Sequence, residues 1–327
     1  MNYYSAAESI KRNKKIWIVG LVGIIFIALL AVSASYIYGA LDYKQSLLSK
    51  SRRNQPLQSP GPAVEEESDY RTDIGAAAST VTIIFLGIDK TEERESWLGV
   101  YRSDTIAVAR MDLDSKKIKV LNIPRDTYAY VPVEGQFDKI NHAYAYGSIE
   151  GDGVQASIDA VNHFLGQKVV DYYFLMDMEP IPAIVDQIGG VELDVEIDMK
   201  DHGADLSKGN QVLNGQQAYT YIHWRYSPGG DIDRIKRQQK FMGTLYKQQR
   251  DAGKIMDTFQ IVLNYKNNIE TDLTARQMIG LAKYMSDLPD GSVTYYTIPG
   301  EGNTINGISY WAPDESETAG VLKEFFQ

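Results

Sequence analysis

The sequence predicts an α/β fold, a central mixed β-sheet between helical layers, preceded by one N-terminal transmembrane helix. Three observations lead there. From residue 81 onward, strand-length apolar runs alternate with segments of helical period, the pattern of a sheet covered by helices. Residues 81–88 (VTIIFLGI) form a continuous apolar run, as a strand buried on both faces requires. Residues 16–38 carry no charge and, as a helix, would reach roughly 35 Å, enough to cross a bilayer.

Taken in order, residues 1–15 are expected to be cytoplasmic and residues 16–38 to be an uncleaved signal anchor. A cleavable signal peptide is the competing reading, because Val32-Ser33-Ala34 resembles a cleavage site, but the apolar run exceeds the usual length of such a segment. Lys11, Arg12, Lys14 and Lys15 abut the span, whereas Lys44, Lys50, Arg52 and Arg53 follow it at a distance. The closer cluster favours a single-pass protein of the cell membrane with its C-terminal domain outside. Residues 39–80, with Pro56, Pro60, Pro62 and the run Glu65-Glu66-Glu67, read as a linker or stalk. Residues 81–327 are the folded domain. Within it, residues 105–111 and 117–123 make a hairpin through Asp112-Leu113-Asp114-Ser115. Helices are expected at 154–165, 180–188, 216–224, 233–250, 254–265, 274–288 and 316–325, and further strands at 169–176, 191–197 and 293–298.

Composition narrows the chemistry. The net charge of −10 conceals an asymmetry: residues 1–60 hold eight Lys/Arg against two Asp/Glu, and the remainder 25 against 41. An acidic domain of that kind repels phosphate backbones everywhere except at a local basic pocket, so nucleic acid is not an expected partner. The absence of cysteine removes thiol nucleophiles, Cys-based zinc sites and disulfides. Four histidines occur without an H-E-x-x-H pair, and neither a Walker A loop nor a complete G-x-G-x-x-G is present.

One basic stretch stands out against this background. Arg225, Arg234, Lys236, Arg237 and Lys240 flank the turn Ser227-Pro228-Gly229-Gly230, which should end one helix and start another with Asp231 as its N-cap. Arg234, Arg237, Gln238 and Phe241 share one helical face, so planar cationic donors would meet an apolar surface. That face suits a phosphorylated lipid. A solvated face of an amphipathic helix is the other reading.

Charge also gathers where strands end. The first strand leaves through Asp89, the second is entered through Arg102-Ser103-Asp104, and the third leaves through Pro124-Arg125-Asp126. Ligands of open α/β sheets sit at strand ends, and Asp89 and Asp104 could share a hard cation such as Mg2+, or Mn2+ in its place, beside substrate phosphates. Arg102 and Arg125 would then neutralise phosphate oxygens. Taken singly, an Asp after a strand is also an ordinary turn residue, and an isolated Lys139 or His223 is also an ordinary surface or core residue.

Together, LGID, YRSDT, IPRDT, DKINHAYAYG, IGGVELDV and the W-R-Y…D-x-D-R-x-x-R-Q-Q helix, in this order behind an apolar anchor, resemble the LytR-CpsA-Psr family over roughly residues 81–250. The resemblance implies an extracytoplasmic, membrane-anchored, Mg-dependent phosphotransferase. Such an enzyme moves a glycopolymer, teichoic acid or capsule-like polysaccharide, from a polyprenyl-pyrophosphate carrier onto peptidoglycan. It implies Asp89 and Asp104 as metal-associated acids with catalytic roles shared by Arg102 and Arg125. Arg102, Arg125, Lys139, Arg225, Arg234, Arg237 and Gln238 are implied at the pyrophosphate. Two departures are His223, where members often carry another Arg, and Asp233, where they often carry Gly. A lipid-pyrophosphate sensor without turnover and a pyrophosphatase acting on the same donor are the alternatives. With each reading goes the expectation of an apolar channel beside the cluster, deep enough for an isoprenoid tail.

Overall fold

The computed structural model describes Leu47, residues 79–90 and residues 100–327. The expected cytoplasmic segment, membrane span and most of the linker lie outside the described residues. Among those described, no helix is long and apolar enough to cross a membrane. The chain runs β1 (Thr80–Ile88), β2 (Ser103–Asp112), β3 (Lys117–Asn122), β4 (Tyr128–Val131), β5 (Gln136–Lys139), α1 (His142–Glu150), α2 (Gly153–Phe164) and β6 (Tyr172–Asp177). It continues through α3 (Ile181–Gln187), β7 (Val191–Val195), β8 (Gly209–Leu213), α4 (Gly215–His223), α5 (Gly230–Asp251), α6 (Ile255–Leu263), β9 (Ile269–Thr271) and α7 (Ala275–Ser286). It closes with β10 (Val293–Thr297), β11 (Gly300–Ile305), β12 (Ile308–Pro313) and α8 (Glu315–Phe326).

Six strands form a mixed sheet in the order β10-β3-β2-β1-β6-β9. Strand β1 is antiparallel to β2 and parallel to β6, β3 is antiparallel to β2 and parallel to β10, and β9 is antiparallel to β6. The ends of β1, β3, β6 and β10 and the start of β2 therefore share one edge. The alternation of side chains along each strand serves two cores. Ile84, Leu86, Ile106, Val108 and Leu121 meet α2 and α8 through Val154, Ile158, Val161, Leu322 and Phe325. Val81, Ile83, Met111 and Ile118 meet α7 through Tyr284 on the other face. Helix α2 starts where Asp152 accepts from the Gln155 N–H at 2.7 Å, and α7 starts with a Thr274/Gln277 capping box.

Two findings depart from the sequence expectation. Leu47, inside the segment expected as linker, is fully buried in the second core, and its carbonyl accepts from the Tyr172 hydroxyl at 2.5 Å. The folded domain thus draws on a residue from before its expected start. The strand expected at 191–197 does not join the central sheet: β7 pairs with β8 as a separate ribbon, which packs with α3, α4 and Phe241 of α5 around a third core. Glycine and small polar residues in β8 (GNQVL) hid that partner from a reading based on apolar runs.

Candidate active site

The shared sheet edge gathers the charged residues. Opposite β1, the register jumps between Gly87↔Thr105 and Ile88↔Ser103, so Asp104 is the extra residue of a bulge. A bulge re-aims its side chain out of the ladder. Asp104 is 5% exposed, and its Oδ1 accepts from Arg125 Nη1 at 2.6 Å. Its backbone carbonyl accepts from Arg234 Nη2 at 3.0 Å, across 130 positions of sequence. Arg234 also donates through Nε to Asp231 Oδ1 at 2.9 Å, and that same oxygen lies 3.6 Å from Arg125 Nε. Asp104, Arg125, Asp231 and Arg234 thereby form one network, with Asp104 and Arg234 buried and Arg125 and Asp231 half-buried, between β2, the loop after β3 and α5.

Helix α5 places the two arginines because its first turn is built from glycine. Gly230 holds φ +52°, which side chains rarely adopt, and the N-cap is Gly229 rather than Asp231. Asp231 lies inside the first turn, free of capping, and meets Arg234 instead. Asp233 Oδ2 accepts from the Gly229 N–H at 2.9 Å, so this departure from the family pattern fastens the turn. Arg237 is 5% exposed, donates to the Trp224 carbonyl and lies 3.3 Å from Ser227 Oγ. Its nearest partners are neutral, and its Nε is buried without a hydrogen bond. Burial lowers the pKa of Arg237 despite Asp233, and that of Arg234 despite Asp231. For Arg125 burial acts the same way, but Asp104, then Asp231 and Asp126, outweigh it and hold its pKa above the usual arginine value. Arg234 is thus a buried guanidinium paired with Asp231, whereas Arg237 is a buried guanidinium whose nearest hydrogen-bond partners are neutral.

The other expected residues are placed differently. Lys139 reaches the rim and pairs with Asp126 Oδ1 at 2.9 Å. Asp89 is half-buried just past β1, where Ile88 faces Ser103, which sets it beside the start of β2. Arg102 is exposed, and its Nη1 meets His142 Nε2 at 3.1 Å rather than a carboxylate. Gln238 donates to the Ile222 carbonyl at 3.2 Å and lines the cavity against the cluster. Arg225 is exposed, and no contact joins it to the cluster among the described residues. Lys236 and Lys240 turn away to Asp233 and Glu196. His223 is stacked on Tyr219, with ring centroids 3.9 Å apart, and Nδ1 shares a 2.9 Å hydrogen bond with the Tyr219 carbonyl. Burial lowers its pKa; Asp89 and Asp104 oppose that and Arg234 reinforces it.

The cavity against the cluster is about 10 Å³, room for roughly one water, between Ile106, Ile123 and Ile235. The expected channel for an isoprenoid tail is not formed there, because side chains from β2, the end of β3 and α5 meet across it. Asp89 and Asp104 offer hard carboxylate oxygens on neighbouring strands. No three His, Cys, Asp or Glu residues among the described residues come together as a metal cage. This donor set fits Mg2+, which is held by one or two carboxylates together with substrate phosphates. Sequence reasoning missed Asp231 and Asp126 as members of the network, and His142 with Asp138 beside it. The spacing of Asp138 and His142, four residues apart, was the available signal.

The model of the LytR_cpsA_psr family matches residues 42–327. The chain belongs to this family. A LytR_cpsA_psr relative from Bacillus licheniformis, named polyisoprenyl-teichoic acid–peptidoglycan teichoic acid transferase TagU, is 30% identical over 76% of this chain and 86% of its own. Its namesake from Bacillus mycoides is 29% identical over 94% of this chain and 95% of its own. The crystal structure of B. subtilis TagV is 26% identical, covers 76% of this chain and 97% of its own, and superposes with a TM-score of 0.61. The mixed sheet with flanking helices is thus the fold of this family.

Proposed function

We propose that the chain transfers a glycopolymer, of the teichoic acid class named for its relatives, from a polyprenyl-pyrophosphate carrier to peptidoglycan through a phosphodiester bond. The observation that carries this reading is the enclosure of two arginines, Arg234 and Arg237, 4% and 5% exposed, beside the Asp104–Arg125 pair, at a bulged edge where four strands end. Guanidinium groups match the oxygens of a pyrophosphate in paired hydrogen bonds. Arg125 and Arg234, tied to Asp104 and Asp231, are pre-positioned, so little ordering is left for the moment of reaction. Lys139 and Arg102 stand at the rim, where the glycan side of the donor would pass. Mg2+, or Mn2+, on Asp89 and Asp104 would neutralise charge on the phosphate oxygens.

The same reading puts residues 16–38 across the cell membrane and the catalytic domain outside it, within reach of lipid-linked donors. Purified protein given a lipid-linked donor and a glycan acceptor is expected to yield a phosphodiester conjugate and polyprenyl phosphate. Arg125→Ala should abolish the conjugate while the protein remains folded. Retained turnover in that variant removes the site assignment. Free phosphorylated glycan without conjugate would identify a pyrophosphatase, and donor binding without any product a sensor.

A further inference from the structure

We propose that His142 is the general base of the transfer, its Nε2 taking the proton of the attacking peptidoglycan hydroxyl; this rests on the transferase reading above. Arginine offers only N–H donors, so at the 3.1 Å contact with Arg102 Nη1 the His142 Nε2 must accept, and the ring proton sits on Nδ1. Nδ1 lies 2.7 Å from Asp138 Oδ2, to which it donates. Asp138 in turn accepts from the Lys139 N–H at 2.7 Å and from the Tyr146 and Tyr310 hydroxyls at 3.2 Å each. Burial works against the Asp138 charge, but the His142 contact and these donors outweigh it and lower its pKa. The result is a carboxylate that fixes an imidazole in one tautomer with its basic lone pair facing outward, the arrangement of a base held by an orienting acid.

The pair stands at the rim of the cluster. Asn141, the residue before His142, donates its N–H to the Arg125 carbonyl at 3.2 Å, and Lys139 is paired with Asp126. Arg102, which covers the lone pair, is two residues from Asp104. Its contact to a neutral imidazole is weaker than one to an anionic phosphate oxygen. Donor binding therefore draws Arg102 onto the pyrophosphate and uncovers Nε2 beside the phosphorus under attack. As the hydroxyl oxygen bonds to the sugar-proximal phosphorus, its proton passes to Nε2. The bond from that phosphorus to the bridging oxygen breaks, and its electron pair departs with polyprenyl phosphate. The imidazolium then gives its proton to water.

The test uses full-length protein in detergent, a lipid-linked donor and a glycan acceptor, with kcat followed against pH and donor affinity measured separately. His142→Gln should lower kcat by about 10²- to 10⁴-fold, with donor affinity unchanged and the acid limb of the pH profile lost. Imidazole added to His142→Ala should restore part of the rate, which a structural role would not allow. Asp138→Asn, which keeps the ring but releases its tautomer, should lower kcat by about 10²-fold without loss of donor binding. The proposal is overturned if His142→Gln keeps its kcat, if the acid limb survives in it, or if donor affinity falls in step with rate, which would make the histidine a positioning residue for Arg102. Wild-type protein that forms no conjugate removes the transferase reading itself and this role with it.

Discussion

Replacing Asp104 by alanine removes the closest carboxylate partner of a largely enclosed guanidinium. Arg125 is 17% exposed at its side chain and held at 2.6 Å, so its loss of Asp104 resembles the breaking of a buried ion pair, which costs about 3–5 kcal/mol. Asp126 and Asp231, both 3.6 Å from Arg125 Nε, remain to share the charge and place the expected cost at the lower end, about 3 kcal/mol. With a urea slope of about 3 kcal/mol per molar, the unfolding midpoint should fall by about 1 M. Arg125→Met removes the other half. The double variant should then lose less than the sum of the single ones, by about 2 kcal/mol, because no unpaired charge is left behind. Equilibrium urea unfolding of the wild type, both single variants and the double variant measures this directly. A cost for Asp104→Ala alone of under about 1 kcal/mol, or additive effects, would show that the pair is not the charge-balanced unit described here.

Two further outcomes are expected. Leu47→Ala should destabilise the domain by about 2–5 kcal/mol, read as a lower urea midpoint, because the side chain is fully buried beneath the sheet; an unchanged midpoint would detach this residue from the core. Burial lowers the pKa of His223 from its ordinary 6.5, so between the folded and unfolded values the unfolded chain holds a proton that the folded one does not. Stability should therefore decline as pH falls below about 6.5, and His223→Gln should flatten that decline, in urea midpoints taken between pH 7 and 5. Parallel declines in both proteins would assign the effect elsewhere.

The sheet was legible where burial on two faces leaves an apolar run, as in β1 to β3, and the charge at their ends was legible because those runs stop at Asp89, Arg102 and Arg125. The ribbons were not. In β5 (QFDK) and β11 (GEGNTI) most positions are half-buried or exposed, so no period distinguishes them from loops. Helix α1 (HAYAYGSIE) buries Ala143, Ala145 and Gly147, small residues that carry little hydropathy signal. Asp231 misled because an acid ahead of a helix reads as its cap, whereas Gly230, at positive φ, starts the helix two residues earlier and frees the acid for arginine. Arg225 looked equivalent to Arg237 in sequence. Arg225 falls in the turn between α4 and α5 and is exposed, whereas Arg237 lies on the buried face of α5.

The burial of Leu47 also sets a leash. On the proposal that residues 16–38 cross the membrane, only eight residues separate residue 38 from the point where the chain is pinned under the sheet, a tether of at most roughly 29 Å even when drawn taut. That is about the thickness of the hydrocarbon layer itself.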